Sequence, residues 1–176
     1  MSCKGFVLCI ILVYNKFMGL KLPEQGRDIL IVDDDGDFTK TLAAALASLE
    51  IGSVVCAASM AEATAIVCPG YEQTENQEEP GLIKQGPRFL VALIDDCFPI
   101  KPDGQPSSGT GSRLLGNVVF FRYGQLCEYL FGISGDQDLQ GGYIGRYPGI
   151  STHTGEAIGK DPDVILKRIE SIVKQS

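Results

Sequence analysis

Three short, strongly apolar runs in this chain each end in an acid or a hydroxyl. DILIV at 28–32 runs into Asp33–Asp35, RFLVALI at 88–94 runs into Asp95–Asp96, and LFGIS at 130–134 closes on Ser134. Uninterrupted apolar runs of this length read as strands covered on both faces, the habit of a parallel sheet. Helical spacing fills the gaps between them. Phe38, Leu42, Ala45, Leu46 and Leu49 predict an amphipathic helix from about Asp37 to Glu50. Gly52 ends it, and Ser53–Ala57 reads as a second strand. Ser59 and Glu62 form a capping box that opens a second helix, which stops before Pro69. Glu156–Gly159 reads as the end of a fifth strand. Asp161 and Pro162 open a last helix with Ile165, Ile169, Ile172 and Val173 on its inner face. There are no internal repeats. The expected fold class is α/β: one doubly wound, five-stranded parallel sheet with helices on both faces.

Other segments depart from this alternation. The apolar run Phe6–Tyr14 is too short to span a bilayer, and no A-x-A-like cleavage site follows it. Residues 1–27 carry four basic groups against one acid, unlike the acidic remainder. They read as an N-terminal extension: a hydrophobic segment, or a misassigned start with translation beginning at Met18. Residues 70–87, with Glu72, Glu75, Glu78 and Glu79, read as an acidic surface insertion. The stretch PIKPDGQPSSGTG at 99–111 reads as a long loop, followed by a partly helical segment around Ser112–Tyr123. The expected organisation is therefore an extension over 1–27 and one domain over 28–176, with insertions near 70–87 and 100–110.

Charge and cysteine usage narrow the function. Fifteen Lys and Arg stand against 22 Asp and Glu, a net charge of −7, which argues against a nucleic-acid surface. Six cysteines without a C-x-x-C pair, and a single His, offer neither a zinc site nor a disulfide framework, so reduced thiols and a cytoplasmic address are expected. TGEAIGKD at 154–161 lacks the first Gly and the terminal Ser/Thr of a phosphate-binding P-loop. His153, with no second ligand type beside it, reads as a solvent or strand histidine.

The acids carry the chemistry. Open α/β sheets place ligand sites at the carboxyl ends of their strands, where Asp33–Asp35, Asp95–Asp96, Ser134 and Lys160 all fall. Carboxylates gathered in one crevice hold protons unless a cation joins them. A hard divalent ion such as Mg²⁺ suits an all-oxygen set. A carboxylate there can attack a phosphoryl group, with a lysine and a hydroxyl offsetting the transferred charge. Taken singly, Asp33–Asp35 also read as a solvated, helix-capping turn, and Lys160 as a surface charge.

In this order, the residues resemble the receiver domain of two-component response regulators, a CheY-like family with a flavodoxin-like fold. The matching pieces are ILIVDDD at 29–35, LVALIDDCFP at 90–99, the Ser of GISGD at 132–136, and IGKDPDVILKRIESI at 158–172. The resemblance implies that Asp33 and Asp34 hold Mg²⁺ together with Asp95 and the main-chain carbonyl of Cys97. It implies that Asp95, four residues before Pro99, is the phosphoacceptor in place of Asp96. Ser134 and Lys160 would contact the phosphoryl oxygens. The implied donor is a sensor histidine kinase or phosphotransfer protein, the output a separate protein, and the domain no turnover enzyme; nucleic acid, and small-molecule substrates other than phosphodonors, are not expected. The chain departs from the family in placing Asp161 between the lysine and Pro162, and Ala157 where many receivers carry a switching aromatic residue. Two other readings compete. One is a degenerate receiver that binds a partner without phosphorylation. The other is a haloacid-dehalogenase-type phosphatase with Asp33 as nucleophile, on the strength of Asp33-x-Asp35-Gly36, with Asp136 and Asp138 as further acids. Motif order argues against the phosphatase, because Asp95–Asp96 precedes both Ser134 and Lys160.

Overall fold

Every residue of Phe89–Asp95 (β3) is buried, as its unbroken apolar run requires. It lies at the centre of the sheet, between Asp28–Val32 (β1) and Cys127–Ser134 (β6), parallel to both. The computed structural model describes residues 28–49, 51–67, 89–116, 126–135, 151–154 and 157–174. The segment 1–27, the acidic insertion 70–87, Asp136 and Asp138 lie outside them.

Val54–Ala57 (β2) pairs parallel with the other edge of β1. The far edge of β6 takes two pieces in succession, Ser151–Thr154 (β7) and Ile158–Gly159 (β8), both parallel to it. Leu130 pairs with Thr154 and Ile133 with Ile158, so the outer side carries one residue more than β6 over the same length. The two pieces fill one position, giving the five-place order β2-β1-β3-β6-β7. That order is the flavodoxin-like doubly wound arrangement. The fifth strand therefore starts earlier in the chain than Glu156. Its β-rich stretch, STHT, lacks the apolar run by which the others were recognised.

Strand alternation divides the core into two layers. Leu30, Val32, Ala92 and Ile94 face one side, where they meet Ala63 and Val67 of Met60–Val67 (α2) and the buried Leu114 and Leu115. Ile29, Ile31, Val91 and Leu93 face the other, against Leu42 and Leu46 of Gly36–Ala47 (α1) and Ile165, Ile169 and Ile172 of Pro162–Val173 (α4). Each such Leu or Ile, fully buried, contributes roughly 1.5–3 kcal/mol. Among the described residues, no helix is long and apolar enough to cross a membrane.

The helix starts follow their sequence signals. The Glu62 amide donates to Ser59 Oγ at 3.2 Å, and Glu62 reaches back to accept from the Ala58 amide at 2.7 Å. Asp161 caps α4, accepting from the amides of Asp163 (3.0 Å) and Val164 (3.4 Å), with Pro162 in the first turn. Asp161→Ala should lower stability by about 1 kcal/mol, read as a lower urea midpoint at unchanged slope.

The long loop expected over 99–111 is not a loop throughout. Cys97–Pro99 (β4) and Pro106–Ser108 (β5) form an antiparallel hairpin pinned by the fully buried Phe98. Proline and serine are poor strand formers, which hid the pairing from the sequence. The hairpin feeds a short helix, Thr110–Arg113 (α3), and the chain stays helical, more widely wound, over 114–116, as the start of the expected helical segment requires. Residues 117–125 lie outside the described part.

Candidate functional site

Period-two alternation carries Asp33 and Asp95 past the ends of neighbouring strands on the face that packs α1 and α4. Lys160 enters from β8, two places beyond β3, and its long stem bridges the difference. Its ammonium lies 3.0 Å from Asp33 Oδ1, 2.9 Å from Asp33 Oδ2 and 3.0 Å from Asp95 Oδ2. The Phe38 ring flanks the ammonium, its centroid 5.7 Å from Nζ. The backbone at Lys160 is tightly turned: the Asp161 amide donates to the Gly159 carbonyl at 2.7 Å. A proline directly after the lysine could not make that bond, so the departure at Asp161 supplies both this turn and the α4 cap.

Asp33 and Asp95 are buried, and burial pushes both carboxyl pKa values up despite their contacts with Lys160. Burial also works against the Lys160 ammonium, but hydrogen bonds and charge from Asp33 and Asp95 outweigh it and hold its pKa above the ordinary value. Asp95 Oδ1 accepts from the Asp96 amide at 2.8 Å, which fixes the plane of the carboxylate.

Carboxylate oxygens of Asp33, Asp34 and Asp95 lie within 4.8 Å of one another. Two observations fit this group to a hard cation. Asp33 Oδ2 is buried and, despite its closeness to Nζ, makes no directed hydrogen bond. The three acids also exceed the single lysine charge among them. The paired prolines of the hairpin bear on the Cys97 carbonyl, the expected further ligand. Pro99 and Pro106 face each other and have no amide hydrogen, so theirs is a non-bonded pair. By alternation, so is Cys97 with Ser108, which leaves the Cys97 carbonyl turned away from β5. Burial and then Asp95 raise the Cys97 thiol pKa, which favours the neutral thiol.

The other candidates lie as follows. Ser134 is buried at the end of β6, paired across to Gly159, while its neighbour Ile133 pairs with Asp95. It therefore stands between the strand ends that bear Asp95 and Lys160. Asp35 is a helix cap, accepting from the amides of Asp37 (3.1 Å) and Phe38 (3.0 Å), bonds that hold its pKa low. This is the capping reading for one acid of the three, and it occupies the second acid of the phosphatase-like motif. Asp96 turns to the opposite face and accepts from Ser112. The parts of Phe38 and Ser112 were not legible in the sequence, since nothing in their spacing marks them as neighbours of the acids.

No family model matches the chain, and no curated protein is significantly similar to it. Solved structures do match. A probable two-component system response regulator/GGDEF domain protein superposes with a TM-score of 0.50 at 18% identity, covering 99% of this chain and 58% of the other. A CheY-like response regulator receiver domain protein from Methanospirillum hungatei JF-1 matches at 23% identity and a TM-score of 0.44, covering 85% and 95%. An adenylate cyclase from Rhodopirellula baltica matches at 19% and 0.49, covering 85% and 89%. With the strand order already described, the chain has the fold of a response regulator receiver domain.

Proposed function

We propose that residues 28–176 form a phosphoacceptor receiver domain of a two-component phosphorelay, with 1–27 as an extension and Asp95 as the acceptor. The observation that carries this reading is the Lys160 ammonium held 3.0 Å from Asp95 and 3.0 Å from Asp33. A lysine placed there is poised to follow charge from the carboxylate to an incoming phosphoryl group.

An oxygen of Asp95 attacks the phosphorus of a phosphohistidine on a kinase or phosphotransfer protein. An O–P bond forms, the N–P bond breaks, and the imidazole leaves and takes up a proton. The Asp96 amide orients the attacking carboxylate, while Lys160 and the Ser134 hydroxyl contact the phosphoryl oxygens. Asp33, Asp34, Asp95 and the Cys97 carbonyl would hold Mg²⁺. When bound, Mg²⁺ supplies positive charge that offsets the acids and the transferred group. New contacts to the phosphoryl group shift the domain between two packings, and a separate output protein reads the shift. On this reading the protein is cytoplasmic, promotes its own phosphorylation and hydrolysis, and turns over no other substrate.

Intact mass after incubation with acetyl phosphate tests the reading. A gain of one phosphoryl group that requires Mg²⁺ is expected; no gain from folded protein would leave a phosphorylation-independent binding module. A second outcome follows from the raised carboxyl pKa values. Between the ordinary carboxylate range and those raised values, the folded chain keeps protons that the unfolded chain has released. Cation-free stability therefore falls as pH rises through that window. Mg²⁺ competes with the same protons, so the increase in Tm on adding it should be larger at about pH 8 than at about pH 5. The Lys160 contribution has a folded pKa above the ordinary lysine value, so it is lost only in strong alkali and leaves the comparison undisturbed.

A further inference from the structure

Resting on that reading, we propose that Asp96 is a positioning residue that locks the phosphoacceptor loop to the start of α3. The residue before the helix is Gly109, whose φ is +81° and which has no side chain to cap it. The helix's first amides go instead to a residue far back in the chain. The Asp96 carbonyl accepts from Thr110 N at 3.0 Å and Gly111 N at 3.5 Å. Asp96 Oδ1 accepts from Ser112 N at 3.0 Å and from Ser112 Oγ at 3.1 Å. Asp96 is buried and Ser112 half-buried, so those bonds are partly shielded from water.

The clamp bears on the site because of what flanks it. Asp95 precedes Asp96 and Cys97 follows it, and the Asp96 amide hydrogen-bonds to the Asp95 carboxylate. A rotation of residue 96 would therefore move the acceptor and the Cys97 carbonyl together. The loop is gripped from both faces of the sheet, at Asp95 by Lys160 and at Asp96 by α3. The hairpin follows directly after Asp96, and the bond from the Thr110 amide to the Asp96 carbonyl closes its base.

Three variants test this: Asp96→Ala, Asp96→Asn and Ser112→Ala. The readouts are Mg²⁺ affinity by calorimetry, labelling rate with acetyl phosphate, and hydrogen exchange of the amides of residues 96, 97 and 110–112. Asp96→Ala should weaken Mg²⁺ binding by about tenfold, slow labelling in step, and speed exchange at 96–97 as well as 110–112. Asp96→Asn keeps an accepting Oδ1 and should rescue affinity to within about threefold of wild type. Ser112→Ala removes one bond, leaves the fold, and should show the same pattern at about threefold. Faster exchange confined to 110–112, with Mg²⁺ affinity unchanged, would reduce Asp96 to a helix cap and overturn the proposal. If the wild-type protein takes neither Mg²⁺ nor phosphoryl, the receiver reading fails; exchange at 96–97 still decides whether Asp96 positions the loop.

Discussion

Asp95→Asn is expected to abolish labelling by acetyl phosphate outright, while the protein stays folded. The amide keeps an oxygen for the Asp96 amide but is no longer an anionic nucleophile. Folding should not suffer, because the lost charge is one that burial already disfavours. Replacing it relieves the repulsion with Asp33, although Lys160 loses one of its two partners. Circular dichroism and a urea midpoint no lower than wild type would show the loss to be chemical. The increase in Tm produced by Mg²⁺ should shrink at the same time. Labelling that persists in Asp95→Asn would move the acceptor to another acid, with Asp96 and Asp33 the first to replace.

Gly111→Ala should have the largest structural effect of any single methyl group added near the site. A β-carbon there would collide with the Asp95 carbonyl oxygen and stand 3.0 Å from the Asp96 α-carbon. These are backbone atoms of the central strand's exit, so no flexible side chain can give way. Overpacking of this kind costs about 1–3 kcal/mol, and the upper end is expected here. The helix or the acceptor loop must move, so Mg²⁺ affinity should fall along with the urea midpoint. Gly36→Ala is a fitting control, since nothing lies within 4 Å of a β-carbon at that position. A Gly111→Ala protein as stable as wild type would show that α3 is free to slide from the strand end.

Much of this was legible because the strands that build the site are the most buried ones. DILIV and RFLVALI announce themselves by composition, and their final acids are then placed at strand ends by length alone. The capping pairs Ser59/Glu62 and Asp161/Pro162 were equally local, each contained within a few residues. What escaped was non-local or disguised. The hairpin is written in proline and serine, and its register depends on pairing that only the folded chain reveals. The outer strand lacks an apolar run, and among the described residues it pairs with β6 alone. The different duties of Asp95 and Asp96 follow from alternation across the sheet, but the partner of Asp96 lies 16 residues away and leaves no periodic trace.

The closed base of the hairpin has a consequence for what the chain can vary. Phe98 holds one strand in the core, the Ile100 carbonyl takes the Ala61 amide at 3.0 Å, and Asp96 ties off the return. Beyond these anchors, Lys101–Gln105 is exposed throughout, turning where the Gly104 amide donates to the Lys101 carbonyl at 2.9 Å. Longer tips add little closure entropy, because the cost grows only logarithmically with length. The tip is therefore a natural graft point. A tag, an epitope or a binding peptide inserted there would join the chain beyond the anchors that separate the tip from Asp95.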